Sequence, residues 1–114
     1  MHVIDSYVHN GRVGVLVELS AESDYATRTD VFKNLAKDIA MHIAASTPLS
    51  VASLLEQSFV KEPTCSVGQL LAKVSSSLRE RVSVVRFVRW DTESMQPAQP
   101  EPPKSPAVAM RSQA

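Results

Sequence analysis

Hydrophobic and polar residues alternate over two short segments near the start of the chain. Residues 3–8 are rich in β-forming types, and every second position of residues 13–19 is apolar. Such an alternation is typical of a strand that buries one face. Between the segments lie Asn10 and Gly11, which both tolerate the positive φ angles of a type I′ turn. The pattern predicts a β-hairpin, and Gly14 within its second strand indicates a bulge or the close approach of another backbone.

A spacing of three and four residues replaces this alternation farther along the chain. It predicts an amphipathic helix over residues 31–46. Thr29 or Asp30 can cap its first turn, and the residue before Pro48 is pushed out of the helical region and ends it. The apolar face consists of Phe32, Leu35, Ala36, Ile39, Ala40 and Ile43.

A second helix is predicted over residues 67–78, where the helical spacing returns. Thr64 or Ser66 can cap its first turn. Residues 51–55 are apolar, but the segment is too short for its period to decide between helix and strand. Residues 59–63 have an extended pattern.

Residues 82–90 have the clearest strand pattern of the chain, and we expect Val85 and Phe87 to face the core. Because the first connection is a tight hairpin, the sheet should be antiparallel. We therefore predict an α+β fold, a three-stranded antiparallel sheet with helices packed on one face. Residues 1–90 would form this domain, and the proline-rich residues 91–114 would form a disordered tail.

The composition narrows the class of protein. The 114 residues include 12 Lys plus Arg and 12 Asp plus Glu, so the basic excess of a nucleic-acid-binding protein is missing. No apolar run approaches the roughly 20 residues that span a bilayer, and the first residues do not resemble a secretory signal. We expect a cytoplasmic protein that binds neither nucleic acid nor membrane. A domain this small buries only about two-thirds of its unfolded surface, which favours dimerisation or a protein partner.

The titratable residues do not form a pattern that indicates catalysis. His2, His9 and His42 lack the spacing of shared metal ligands, and independent surface histidines explain them more simply. Cys65, the single cysteine, has no histidine near it in sequence and is interpreted as a structural or incidental thiol. We therefore expect no metal, no cofactor and no enzymatic activity.

Tyr25 does not fit a purely structural interpretation. It is an aromatic residue between Asp24 and Ala26 in an otherwise polar connection, which is typical of an interface anchor. The alternative is that its ring folds back onto the following helix. The hairpin tip, with His9 and Arg12, is also well placed for contacts, because loops carry function more often than strands do. These features favour a protein-binding module over an active site.

Six segments resemble, in the same order, the core domain of the translation elongation factor Ts family. They are YVHNGRVGVLVEL (7–19), ESDYATR (22–28), LAKDIAMHIAAS (35–46), LLEQSFVK (54–61), VGQLL (67–71) and VVRFVRW (84–90). The resemblance extends over residues 3–90 and implies a shortened form of this core domain. We expect the chain to lack the family's N-terminal helical domain and the helical insertion between the third and fourth segments.

The resemblance implies a guanine-nucleotide exchange factor that binds GDP-bound and nucleotide-free elongation factor Tu and promotes GDP release without covalent chemistry. In the family, a Thr-Asp-Phe loop contacts the GTPase near its magnesium site, and this motif matches residues 23–25. The family's hairpin histidine matches position 9. The implied partner-binding residues are His9, Asn10, Arg12, Ser23, Asp24, Tyr25 and Arg28. The alternative is a binding module of the same family that has lost exchange activity and acts as a regulatory or structural interaction protein.

The chain departs from the family pattern at several positions, and the family's "NCETDF" segment reads SAESDY at residues 20–25. Tyr25 stands in place of phenylalanine, and its hydroxyl would cost roughly 1–3 kcal/mol if a dry pocket left it unpaired. Val88 stands where short, dimeric members of the family carry a cysteine. A homodimer, the second partner that we expect, would therefore form without a disulfide at that position.

Overall fold

The computed structural model describes residues 1–93, and its first two strands form the predicted hairpin. Strand β1 spans His2–His9, and strand β2 spans Val13–Ser20. Asn10 and Gly11 have φ angles of 54° and 68°, the positive values that a type I′ turn requires. The turn chemistry of the sequence therefore sets where the chain reverses.

Gly14 lies in regular pairing within β2. Its register partners are Val8 and Trp90, and the sheet has no irregularity at this position. A Cβ atom built on Gly14 would meet nothing within 4 Å. Both sequence-based interpretations of this glycine, the bulge and the close approach of another backbone, are therefore wrong.

The third strand of the main sheet carries a β-bulge instead. This strand spans Ser83–Asp91 and pairs antiparallel with β2. The second strand of the hairpin therefore lies at the centre of the sheet, between β1 and this last strand. At the bulge, Val84 pairs with Leu19 and is buried, whereas Val85 is 40% exposed. The expectation that Val85 faces the core is wrong, because the extra residue of a bulge shifts the alternation by one position. Phe87 packs against the core as predicted.

Two helices follow the hairpin. Helix α1 spans Asp24–Thr27 and lies in the connection that the sequence pattern left irregular. Helix α2 spans Asp30–Ser46, and its N-cap is Thr29, whose Oγ1 accepts a hydrogen bond of 3.2 Å from the backbone N–H of Phe32. It ends at Thr47, which adopts a left-handed conformation with φ 46°. The predicted apolar face of α2 is buried on β1 and β2 and consists of Phe32, Leu35, Ala36, Ile39, Ala40 and Ile43.

The middle of the chain forms two more helices and a small second sheet. Helix α3 spans Val51–Glu56, which resolves the short apolar segment as a helix. Strands β3 and β4, Ser58–Phe59 and Glu62–Ser66, pair antiparallel. Helix α4 spans Val67–Leu78, with a capping box at its first turn. The strand Ser83–Asp91 is therefore β5.

The core lies between the inner face of the β1-β2-β5 sheet and the helices, with Val17, Leu19, Ile39 and Leu54 fully buried. This arrangement confirms the predicted α+β fold. The first residue of the predicted tail, Asp91, belongs to β5 and ends that strand. Residues 92 and 93 are also described, and the rest of the predicted tail, residues 94–114, lies outside the described residues. Within residues 1–93, none of the helices has the length and apolar character that crossing a membrane demands.

Candidate functional site

The predicted partner-binding residues fall into two groups at opposite ends of β2. The hairpin tip (residues 9–12) precedes this strand, and the Tyr25 loop (residues 22–28) follows it. Because a strand rises about 3.3 Å per residue, the length of β2 holds the two groups roughly 23 Å apart. The structure therefore brings together the four predicted residues of the Tyr25 loop and keeps them apart from the three of the hairpin tip.

The Tyr25 loop is organised by helix α1. Ser23 is its N-cap, and the Ser23 Oγ accepts a hydrogen bond of 3.2 Å from the backbone N–H of Ala26. At the other end of this single turn, Thr27 Oγ1 donates to the carbonyl of Asp24 at 2.7 Å. A serine and a threonine thus hold the polar connection in a helical turn.

Asp24 and Arg28 form an ion pair across one turn, from the Arg28 guanidinium to the Asp24 carboxylate. Their side chains are 46% and 76% exposed. An exposed pair at this spacing contributes about 0.3–0.5 kcal/mol. A partner can therefore draw either side chain into a new contact at little cost.

Tyr25 extends into solvent, with 76% of its surface exposed. Its neighbour Ala26 is buried, and so is Thr27. Of the two sequence-based alternatives for this ring, the structure shows the exposed one and not the ring folded back onto α2. A large aromatic side chain presented on an ordered turn is typical of an interface anchor.

Glu80, which lies between α4 and β5, accepts hydrogen bonds from the start of the Tyr25 loop. Its Oε1 accepts from the backbone N–H groups of Glu22 and Ser23, at 3.0 and 2.9 Å. Its Oε2 accepts from the Ser23 hydroxyl at 2.6 Å. The hydrogen bond from the Ser23 hydroxyl is the largest cause that lowers the pKa of Glu80 below its ordinary value.

The contact between these two segments is reciprocal. Glu22 Oε2 accepts a hydrogen bond of 2.8 Å from the backbone N–H of Arg81. Each segment therefore supplies a carboxylate to the backbone of the other. Sequence reasoning missed Glu80, because it lies 57 residues from Ser23 and no local pattern links the two positions.

The hairpin tip presents His9 on an ordered turn. The backbone N–H of Arg12 donates to the His9 carbonyl at 2.9 Å. The ring nitrogens of His9 lie 3.1 Å from the Tyr7 hydroxyl and 3.2 Å from Asn10 Nδ2. Asn10 Nδ2 can only donate, so His9 Nε2 accepts in this contact. The Tyr7 and His9 rings stack with centroids 6.1 Å apart.

Arg12 ties the hairpin tip to the end of β5. Its guanidinium donates to Glu93 Oε2 at 3.0 Å, and its carbonyl accepts from the backbone N–H of Thr92 at 2.9 Å. A shallow groove of about 170 Å³ lies beside the tip. Its lining combines Tyr7, His9 and Val13 with Met41, Ala44 and Ala45 of α2. A partner that contacts the tip would meet a mainly apolar surface next to His9.

The outer face of the main sheet is a third exposed surface. Helices cover the inner face, whereas the register aligns a set of apolar side chains on the other side. We call this set the outer apolar face: Ile4, Val8, Leu16, Val88 and Trp90. A groove of about 300 Å³ runs across it.

His42 is a buried residue, which corrects its interpretation as a surface histidine. Its ring is fully buried on the core face of α2 and packs on Phe59 with centroids 5.8 Å apart. Nδ1 accepts from the backbone N–H of Val60 at 3.2 Å, and Nε2 lies 2.8 Å from Gln57 Oε1. Within residues 1–93, no cluster of three His, Cys, Asp or Glu side chains could hold a metal ion.

Comparison with known proteins points to one family. The family model described as "Elongation factor TS" matches residues 1–53. An elongation factor Ts of Koribacter versatilis is 37% identical over 131 residues, which cover 75% of this chain and 60% of the relative. One from Rubrobacter xylanophilus is 34% identical, with 77% of this chain and 69% of the relative covered. One from Alkaliphilus oremlandii is 31% identical, with 78% and 62% covered.

The chain spans about 60% of the length of several of these curated relatives. The match to the Koribacter versatilis protein runs over 131 residues, although this chain has only 114 in total. The relative therefore carries residues inside the matched region that this chain lacks. A shortened form of the family's core, as the sequence predicted, agrees with this comparison.

Proposed function

Because the chain belongs to the elongation factor Ts family of translation elongation factors, we propose that it is a guanine-nucleotide exchange factor. Its partner is elongation factor Tu, in the GDP-bound and nucleotide-free states, and its effect is faster release of GDP in the cytoplasm. The observation that carries this proposal is the exposed ring of Tyr25, presented beside Asp24 on the ordered turn that matches the family's loop.

The proposed mechanism is differential binding without covalent chemistry. A protein that binds the nucleotide-free GTPase more tightly than the GDP-bound form must weaken GDP binding by the same factor. The Tyr25 loop provides the contact, because Asp24 can exchange its exposed ion pair for a partner at little cost. The hairpin tip provides a second contact through His9, roughly 23 Å away.

The rate of fluorescent GDP release from elongation factor Tu tests this proposal. We expect the protein to accelerate release, and we expect Tyr25→Ala to remove most of the acceleration. Leu49→Ala is the matched control, because Leu49 is an exposed apolar side chain, 86% accessible, outside both groups. The control should accelerate release as well as the unchanged protein does.

The outcome also separates exchange from binding alone. If a large excess of the protein leaves the GDP release rate unchanged, the exchange proposal fails. Capture of elongation factor Tu under the same conditions would then support the alternative, a binding module without exchange activity. Absence of both effects would remove elongation factor Tu as the partner.

We further propose that the outer apolar face mediates a homodimer. The occupant that we propose is a second copy of this chain, because a two-fold axis would place the same apolar residues of both copies opposite each other. Two sheets stacked at about 10 Å would bury both faces. Glu18 and Arg86, which form an ion pair with each other on this surface, bring both signs of charge to the proposed interface.

The mass in solution tests the homodimer. We expect sedimentation equilibrium to report twice the chain mass of 12.5 kDa. Leu16→Arg should return the monomer mass, because it places a charge in the middle of the outer apolar face. A monomer at high protein concentration would contradict the proposal.

A further inference from the structure

We propose that Glu80 is a positioning residue for nucleotide exchange, whose carboxylate fixes the Tyr25 loop in the orientation that meets the GTPase. This inference rests on the proposed exchange function and adds a residue that the family resemblance did not single out. Glu80 does not belong to the surface that presents Tyr25. It acts on that surface through Ser23 and Glu22.

The backbone around Tyr25 must fix the position of its ring, because 76% of that side chain is exposed. Glu80 provides a direct route to this backbone. The Ser23 hydroxyl donates to Glu80 Oε2 at 2.6 Å, which leaves a lone pair of Ser23 Oγ free to accept from the N–H of Ala26 at 3.2 Å. Glu80 therefore orients the hydroxyl that caps α1.

The segment that carries Glu80 is itself well fixed. Its backbone N–H donates to the carbonyl of Ser75 at 3.1 Å, after Arg79 ends α4 in a left-handed conformation with φ 59°. The hydroxyl of Ser75 accepts from the N–H of Val82 at 3.0 Å. Hydrogen bonds to Ser75 therefore fix the backbone at Glu80 and at Val82, and the carboxylate projects from a fixed segment.

The electrostatics favour the same role. Three donors converge on Glu80, and hydrogen bonds to an ionised acceptor are roughly twice as strong as neutral ones. The hydrogen bond from Arg81 N–H to the Glu22 carboxylate adds a fourth connection between the two segments. Loss of the Glu80 carboxylate would remove three of these four contacts and leave the loop held on one side only.

The experiment measures GDP release from elongation factor Tu at saturating concentrations of the full chain and its variants. We expect Glu80→Ala to lower the maximal release rate roughly tenfold, because small misplacement of a positioning group has large effects on rate. The concentration that gives half of the maximal effect should change less, since the hairpin tip is intact. Glu80→Gln should recover part of the rate, because its amide oxygen can still accept from the two backbone N–H groups.

Two controls separate positioning from a loss of folding. Glu56→Ala, at an exposed glutamate that ends α3, should match the unchanged protein. Ser23→Ala removes the hydroxyl that bonds to the carboxylate but keeps the two backbone donors, so it should lower the rate less than Glu80→Ala does. The effects of the two changes should be less than additive in the double variant, because they share the hydrogen bond between Ser23 and Glu80. Amide hydrogen exchange of residues 22–28 should become roughly tenfold faster in Glu80→Ala, while that of α2 stays unchanged.

The possible failures are distinguishable. If the unchanged protein accelerates GDP release and Glu80→Ala is equally active, the inference about Glu80 is wrong and the proposed function stands. If the unchanged protein has no effect on GDP release, the proposed function fails and the exchange role of Glu80 fails with it. Hydrogen exchange of residues 22–28 would then still report whether Glu80 holds the loop.

Discussion

Glu18 shows how a single side chain can make the stability of this domain depend on pH. His2 Nδ1 lies 2.6 Å from one of its carboxylate oxygens, and Arg86 Nε donates to the other at 2.6 Å. The hydrogen bonds from His2 and then from Arg86 lower the pKa of Glu18 below its ordinary value. A carboxyl group with a lower pKa in the folded state stabilises that state once it is ionised.

We predict that Glu18→Gln reduces the loss of stability in acid. The contribution of Glu18 is present above the pKa of an unfolded glutamate, about 4.3, and disappears as the pH falls through the lower folded value. Urea unfolding followed from pH 7 to pH 3 should therefore show a flatter curve for the variant. Glu62→Gln, at an exposed glutamate of β4, is the control and should follow the unchanged protein.

Substitution of the buried histidine should have a larger effect. His42→Ala would leave the backbone N–H of Val60 without its partner, would remove one of the two hydrogen bonds at Gln57 Oε1 and would open a cavity. We predict a loss of about 2–4 kcal/mol in the free energy of unfolding, measured by urea denaturation. His9→Ala, at the exposed hairpin tip, should cost less than about 0.5 kcal/mol. Similar losses for the two variants would contradict the burial of His42.

Among the secondary structure elements, the bulge in β5 gives a direct test of which valine faces the core. Val84 and Val85 are adjacent and identical in type, but Val84 is 8% exposed and Val85 is 40% exposed. We predict that Val84→Ala costs about 1–2 kcal/mol of unfolding free energy, whereas Val85→Ala costs less than about 0.5 kcal/mol. The opposite order would place the bulge elsewhere in the strand.

The elements that sequence predicted are those whose signal is local. The spacing of Phe32, Leu35 and Ile39 defines the buried face of α2, and the Asn10-Gly11 pair defines the hairpin turn. Each of these signals lies within the element that it specifies. Helix α4 was predicted with the bounds that the structure has, for the same reason.

The features that sequence did not predict depend on distant residues. The bulge beside Val85 arises where β5 meets β2, so the period within β5 alone cannot reveal it. Helix α1 has four residues, which is about one helical turn and too short for an apolar spacing to repeat. The link from Glu80 to Ser23 joins residues 57 positions apart. Sequence therefore identified the predicted residues of the Tyr25 loop but not what holds them.

The domain is small, and small domains bury a smaller fraction of their unfolded surface than large ones do, which connects its stability to the proposed homodimer. Association that favours the folded state raises the melting temperature as protein concentration rises. We predict such a rise for the unchanged protein, measured by calorimetry over a hundredfold range of concentration. Leu16→Arg should abolish the concentration dependence, since this side chain lies in the outer apolar face. A melting temperature independent of concentration in the unchanged protein would contradict the homodimer.

Strand β2 separates the hairpin tip from the Tyr25 loop, and its length has a consequence for binding. Two contacts joined by a stiff spacer behave as a bivalent ligand, in which the first contact sets the effective concentration of the second. Matched two-residue insertions in β1, β2 and β5, which pair along their length, would preserve the inward and outward faces but increase the span by about 7 Å. Both contacts would then remain intact while their joint engagement with one partner molecule is lost. The length of β2 would therefore determine the avidity for the partner, which is the gain in affinity from engaging both contacts at once.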